Sequence, residues 1–322
     1  MAYSLRKIQM VITTLVIMAI GTVQGRDGSS TSSAGCGEAC APKCCCPDSC
    51  GQFFANAQLL YLRAFEGGLS SVCDSTHITD STEDGILTSR LKSKNHDPDF
   101  KWNLGFRVGA GYEFADSNCD IGAYWTHFDS HTGNENHKNG HKWKINFNVV
   151  DVLYRCDCGC SSCFVLTPFG GLRYASIDQK LRTNFLSTMD TSFIVSKGNS
   201  KEDFLGIGPL FGIDGDWDVG CGFSLYGNIS AAVLYGRFHG RSNQTDQFNT
   251  GININHLRKH IEACQAVVDS GFGVRWKTCF CEDKLLVLQL GVEQHRYFNH
   301  NQFCGYGDLS LDGASLAINI TF

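Results

Sequence analysis

From Phe100 to Phe114, "FKWNLGFRVGAGYEF", apolar and polar positions alternate without a break. The even positions read Phe, Trp, Leu, Phe, Val, Ala, Tyr, Phe, and the odd ones Lys, Asn, Gly, Arg, Gly, Gly, Glu. Successive side chains of a strand point to opposite faces, so the stretch predicts a strand with one wholly apolar face. It would be about 50 Å long at roughly 3.3 Å per residue, whereas ordinary strands have about 5–6 residues.

The pattern recurs. "GQFFANAQLLYLRAFE" precedes it, and "CDIGAYWTHFD", "KWKINFNVVDVLYR", "FVLTPFGGLRYASIDQ" and "DFLGIGPLFGID" follow. Val219–Tyr235, "CQAVVDSGFGVRWK", "KLLVLQLGVEQHRYF" and "LSLDGASLAINITF" complete ten predicted strands. In the fourth, Trp143, Ile145, Phe147 and Val149 read as the outward face, and Lys142, Lys144, Asn146 and Asn148 as the inward one. A slip of phase near Val150 suggests a bulge.

Connections alternate in length. Polar stretches of the long or medium kind follow every odd-numbered strand, and turns such as "ADSN", "GDWD" and "TCFCED" follow the even ones. A soluble sandwich has no reason to sort its loops by end, whereas an outer-membrane barrel has short periplasmic turns and longer external loops. Lipid offers no partner to backbone N–H and C=O groups, so spanning strands must close into a ring. The fold predicted is therefore all-β, a transmembrane antiparallel β-barrel of about ten strands. Strands hidden in the loops, such as "TSFIVSK" at Thr191–Lys197, would raise the number to 12–16. Phe100, Trp102, Tyr112 and Phe114 fall where aromatic girdles belong. Phe322, the last residue, ends an apolar face and resembles a C-terminal signal for outer-membrane assembly.

The N-terminus changes the picture further. Arg6 and Lys7, the apolar run Met10–Val23 and small residues near Gly25 form a secretory signal over 1–25. A cysteine-rich periplasmic segment over 26–51 and the barrel over 52–322 follow. No later stretch has 18 consecutive apolar residues, so helical spans are not expected. With a net charge of −5, nothing points to nucleic acid.

At "FFANAQLLYLRAFEGGL", "WNLGFRVGAGYEF" and "VLTPFGGLRYASID" the chain resembles the pore-forming outer-membrane proteins typified by the Legionella major outer membrane protein. Relatives of that kind occur as porins of chlamydia-like bacteria. The likeness is clearest from Gln52 to Gln179. It departs at Leu62, where a Trp would follow Tyr61, and its cysteine-rich start looks like the chlamydial branch. The resemblance implies an outer-membrane porin for passive diffusion of small solutes and ions, with no catalytic residue to carry over and no cofactor. A structural or adhesive barrel without an open pore is the alternative.

The chain has 17 cysteines. Cys36, Cys40, Cys44, Cys45, Cys46 and Cys50 precede the first strand, and Cys119, Cys156, Cys158, Cys160, Cys163, Cys221, Cys279 and Cys281 lie at the short turns. That places fourteen on the periplasmic side and leaves Cys73, Cys264 and Cys304 outward or near the outer ends. Zinc binding by "CDCGCSSC" or "KCCCPDSC" is disfavoured by an oxidising compartment. Disulfides within the chain and cross-links to other cysteine-rich envelope proteins both remain open. Outer-membrane lipid is the other expected partner, with a homo-oligomer also open.

If the apolar face points outward, the polar face lines a lumen. The predicted pore-lining residues are Lys101, Asn103, Arg107, Glu113, Lys144, Asn146, Asn148, Arg173, Asp269, Arg275 and Glu293, joined by Lys142, Lys277, Gln289 and His295. Basic residues outnumber acidic ones seven to three in this set, which predicts weak anion selectivity. Ten strands lie near the size at which side chains fill the interior, and Gly105, Gly109, Gly111, Gly220 and Gly222 would open space. His127, His131, His137 and His141 read as a polar external loop rather than a metal site. Asp129 and His131 are candidates for the outer-rim acid–base chemistry of some ten-stranded barrels. Nothing in the sequence shows the pairing geometry a base needs, and no enzyme is predicted.

Overall fold

The computed structural model describes residues 51–67, 75–83, 86–94, 100–115, 117–133, 140–161, 163–189, 192–248, 251–280, 284–301 and 307–322. The expected signal peptide, and the N-terminal cysteines from Cys36 to Cys50, lie outside these residues. Strand β1 (Gln52–Glu66) leads to a hairpin of β2 (Ser75–Glu83) and β3 (Ile86–Lys94). Then come β4 (Trp102–Glu113), β5 (Cys119–Gly133), β6 (Gly140–Cys156), the short β7 (Cys158–Ser161) and β8 (Phe164–Met189). Strands β9 (Ser192–Gly220), β10 (Phe223–Phe248), β11 (Gly251–Phe280), β12 (Lys284–Asn301) and β13 (Gly307–Thr321) complete the order.

Ten of these close into a barrel. The order is β6-β5-β4-β1-β13-β12-β11-β10-β9-β8, and pairing of β6 with β8 joins the ends. β7 only extends the periplasmic end of β8. The first and last strands are neighbours, with Phe54 opposite Thr321. The Phe322 N–H donates to the Phe53 carbonyl at 2.8 Å, and the Phe53 N–H to Phe322 at 3.0 Å. Phe322 itself points outward.

Around the outer wall an apolar belt is bounded by aromatic rims. Phe53, Phe114, Tyr154, Phe164, Trp217, Phe223, Trp276 and Phe322 are exposed at the end with the short turns. Tyr61, Trp102, Trp125, Tyr174 and Tyr235 are exposed toward the other. On β1 the belt runs from Phe53 to Tyr61, about the 9–11 residues that a tilted strand needs to cross a membrane. Phe100 is the exception to the predicted girdle. It is buried, with its ring 5.3 Å from that of Trp143 inside the barrel.

The inside inverts along its length. On β1, Asn56 and Gln58 face inward in the periplasmic half, and Leu60, Leu62 and Ala64 in the outer half. On β6, Asp151 is inward with Val150, Val152 and Tyr154 exposed outside, whereas Trp143, Ile145, Phe147 and Val149 are buried inside. The apolar face therefore changes sides at the membrane boundary: lipid needs it outside, and above the lipid the core needs it inside. The pairing of β6 with both neighbours runs unshifted through Val150, so the predicted bulge is absent. The predicted pore residues Lys144, Asn146 and Asn148, with Lys142, stand on the outer wall above the belt.

Two predicted loops are ladder instead. Polar residues 180–189 and 192–201 continue β8 and β9, and 236–248 and 251–262 continue β10 and β11, which pair from Phe223–Trp276 to Phe248–Gly251. The segment "TSFIVSK" lies mostly in β9 and adds no extra strand. Nor is "GDWD" a turn. β9 runs through it to Gly220, and Cys221 (φ 55°) with Gly222 (φ 78°) makes the connection. Positive φ at both central residues is the type I′ geometry that matches strand twist.

Cys119 and Cys156, directly opposite on β5 and β6, form a disulfide. Cys163 and Cys279 each also belong to a disulfide. Because the bond closes a loop with a sequence separation of 37 in the unfolded chain, Cys119→Ser with Cys156→Ser is expected to cost about 2–4 kcal/mol. Urea titration of both forms in detergent checks this.

Candidate functional site in the barrel lumen

Inward positions of all ten barrel strands assemble a polar cavity of ≈ 480 Å³ in the periplasmic half. Arg107 on β4 is hydrogen-bonded through Nε to Thr126 Oγ1 (2.9 Å), through Nη1 to Gln58 Oε1 (2.8 Å) and through Nη2 to Glu293 Oε2 (3.0 Å). Gln58 Nε2 also donates to Glu293 Oε1 at 3.0 Å, so β1, β4 and β12 share one node. His295 lies between Glu293 (3.1 Å) and Asp269 on β11 (2.8 Å). Asp269 accepts from Arg173 Nη1 on β8 at 2.5 Å, and Arg173 grips Asp151 of β6 through Nε and Nη2 at 2.7 and 2.8 Å.

The chain Arg107–Glu293–His295–Asp269–Arg173–Asp151 thus crosses the barrel from β4 to β6. Each cation meets a carboxylate, as burial demands, since an unpaired charge in a low-dielectric interior is costly. Nearer the periplasm, Arg275 bonds Asp214 (2.9 and 3.0 Å), Asp216 (2.8 Å) and Gln289 (3.1 Å), and its guanidinium lies 4.4 Å from the Tyr226 ring centre. Lys277 reaches Asp216 at 3.1 Å. Arg155 pairs with Asp120 at 2.8 Å, between the rings of Phe54 and Tyr124.

Above this network the lumen is packed with apolar side chains. Leu60, Leu62, Phe128, Trp143, Phe147, Ile177, Phe204, Leu234, Val267, Tyr297, Leu309 and Leu311 belong to one buried cluster, contributed by every barrel strand except β4. The rings of Phe147 on β6 and Tyr297 on β12 meet edge to face at 5.6 Å, across the barrel. Trp143 Nε1 donates to Gln179 Oε1 and Gln179 Nε2 to Glu66 Oε2, both at 3.0 Å, a second link across the same space. Inward glycines do not leave a hole. The ring of Tyr124 fills the space beside Gly109, and that of Phe54 the space beside Gly111.

Of the predicted lining residues, the structure brings together Arg107, Glu113, Arg173, Asp269, Arg275 and Glu293 around the cavity, with Lys277, Gln289 and His295. Asn103 is inward but beside Leu62, at the level of the apolar core, where it donates to Ser130 Oγ at 2.9 Å. Lys101 precedes β4 and is exposed. The predicted basic excess is overturned. The cavity is lined by Arg107, Arg155, Arg173, Arg275 and Lys277 against Glu113, Asp120, Asp151, Asp157, Asp214, Asp216, Asp269 and Glu293. Sequence reading missed most of these acids. Asp214 and Asp216 alternate with Ile213, Gly215 and Trp217, a signal hidden by reading a turn there.

On the outer wall, His127 contacts Asn148 Oδ1 at 2.8 Å and Asp129 at 3.3 Å, and His131 is exposed. Among the described residues, no group of three or more His, Cys, Asp and Glu is placed to hold a metal ion. Cys158, Cys221 and Cys264 are exposed.

No curated protein matches the chain by sequence. Among solved structures, the outer membrane protease OmpT of Escherichia coli shares 11% identity, covering 84% of this chain and 97% of that one at a TM-score of 0.43. The attachment invasion locus protein Ail of Yersinia pestis shares 12%, covering 84% and 99% at 0.25. The toluene transporter TodX of Pseudomonas putida shares 9%, covering 85% and 89% at 0.26. At such values none of the three says what this chain does. The family model of the Legionella pneumophila major outer membrane protein matches residues 45–318. With a closed ten-stranded barrel, a lipid-facing belt and that match over most of its length, the chain belongs to this family and is a bacterial outer-membrane β-barrel.

Proposed function

We propose that this protein works as a sealed outer-membrane barrel, a structural and surface-presenting element, rather than as a general diffusion pore. The observation that carries this reading is the apolar core across the outer half of the lumen, seen in the cross-barrel contact of Phe147 with Tyr297. A ten-stranded ring has a narrow interior, and a path for hydrated solutes needs water where these rings meet. The ion-pair network beneath serves in this reading as a brace that ties opposite strands together. The long β8–β11 sheet then presents its surface beyond the membrane.

Purified protein inserted into a planar lipid bilayer is expected to stay silent in 1 M KCl. Discrete, stepwise conductance from the native chain would overturn this proposal and favour passive diffusion. The charged cavity of ≈ 480 Å³ supports that second reading, because a polar vestibule is what a solute path requires at its periplasmic end. Cross-linking to other cysteine-rich envelope proteins also belongs here. Non-reducing electrophoresis of native membranes is expected to show species larger than the monomer that reductant collapses, and a monomer band insensitive to reductant rejects it.

A further inference from the structure

Above the outer aromatic rim, β8 to β11 continue as one sheet whose outward face looks sideways over the membrane surface. Register sets rows across this face. Tyr174, Ile207, Tyr235 and Cys264 form the row at the rim. Three outward rows higher, Lys180 stands opposite Lys201, Lys201 opposite Arg241, and Arg241 opposite Arg258. All four share the outward phase of the rim residues, and three of them are exposed. Neighbouring strands are about 4.8 Å apart, so four cations lie side by side in a single line.

Like charges directly opposite one another destabilise a sheet pair. Close at hand, only part of this charge is met: Lys201 reaches Asp203 at 2.7 Å, and Arg237, three positions along β10 from Gly240, pairs with Glu262 at 3.3 Å. From the row of Arg237 up to that of Arg182, the outward face carries Lys180, Arg182, Lys201, Arg237, Arg241 and Arg258 against Asp178, Asp203 and Glu262. That is a local basic excess on a chain of net charge −5. An anion from outside the chain would relieve the repulsion, and Arg and Lys side by side suit phosphate groups.

Position selects the anion. The row stands six residues beyond Tyr235, about 20 Å along the strand at roughly 3.3 Å per residue. That is less in height because the strands tilt, so it falls within headgroup reach. Lower on the same face, past the rows Asp178–Asp203–His239–His260 and Ser176–Leu205–Arg237–Glu262, Leu172, Ile207 and Val233 continue the lipid-facing belt. A ligand with a phosphorylated sugar headgroup and acyl chains would meet the basic row with one end and the belt with the other. We propose that the Lys180–Lys201–Arg241–Arg258 row binds the phosphorylated headgroup of the glycolipid in the outer leaflet.

The test uses the full chain in zwitterionic detergent and two probes: lipopolysaccharide with its lipid A and inner-core phosphates, and the same material after enzymatic dephosphorylation. The native protein is expected to bind the phosphorylated probe with an affinity that falls as salt rises. Affinity is expected to drop at least about tenfold on dephosphorylation, and as much in the variant Lys201→Gln/Arg241→Gln/Arg258→Gln, since each basic group near an anionic surface adds roughly fivefold. Equal affinity for the two probes, or an unchanged variant, overturns the proposal. So does tighter binding of heparin, a soluble polyanion, in direct competition. Without lipid, the variant is expected to keep its heat-modifiable mobility and to unfold no earlier than the native chain, because a repulsive row has been relieved. A variant that unfolds earlier without lipid would mean the row serves the sheet itself, and would also overturn the proposal.

Discussion

Replacing Arg173 with Met is expected to destabilise the barrel by about 3–5 kcal/mol, the largest loss from any single polar change in the lumen. Arg173 is 6% exposed and holds two carboxylates, Asp151 through a bidentate grip and Asp269 through its remaining nitrogen. Its removal takes the guanidinium from two mostly buried carboxylates, whose side chains are 14% and 11% exposed at the wall of the cavity. Asp269 retains His295 and the Ser230 hydroxyl, at 2.8 and 3.2 Å, so the damage falls mainly on Asp151. Arg173→Lys is expected to recover only part of the loss, because an ammonium cannot make the two parallel bonds to Asp151. Removing all three charges together, as Arg173→Met/Asp151→Leu/Asp269→Leu, is expected to restore much of it, as buried ion pairs often contribute little over apolar replacements. Urea unfolding in lipid vesicles, followed by tryptophan fluorescence, measures each difference. A loss below about 1 kcal/mol for Arg173→Met would mean that water reaches the network freely.

The second large effect concerns the seal. In Phe147→Ala/Tyr297→Ala both rings of the cross-barrel contact are gone, and the silent barrel is expected to show discrete conductance steps in planar bilayers. Each truncation also costs about 3–5 kcal/mol through lost burial and cavity formation, so the variant needs its heat-modifiable mobility checked first. The two rings are neighbours of both layers: Phe147 sits between Ile145 and Val149 of the core, and Tyr297 lies one inward position beyond His295. Water admitted there would connect the charged cavity to the outer core. A folded double variant that stays electrically silent would place the seal elsewhere in the cluster.

How far the sequence could be read shows in particular residues. Trp102, Leu104, Phe106 and Val108 point outward as their alternation predicts, because lipid asks the same thing of every position on that face. Trp143, Ile145, Phe147 and Val149 alternate just as cleanly, yet they point inward. Period two tells which residues share a face, but not which face meets lipid. The choice depends on height above the membrane, and that height is set by the register with neighbouring strands. Lys144, Asn146 and Asn148 were misplaced for this one reason. The polar continuation of β10 and β11 was misread similarly, since ladder hydrogen bonds need no apolar face when both sides meet water.

The amino-acid order alone determined the strand-rich barrel, its ten staves, its export to an outer membrane and most of the cations inside it. The strands follow from local alternation, which needs no knowledge of neighbours. Only the tertiary structure decided that the lumen's cations are matched by Asp120, Asp151, Asp214 and Asp216, that apolar side chains cluster in the outer lumen, and that four basic residues from four strands share a row. Each of these brings together side chains far apart in the chain. Closure of the ring decides which of them meet, through pairing register and contacts across a narrow interior.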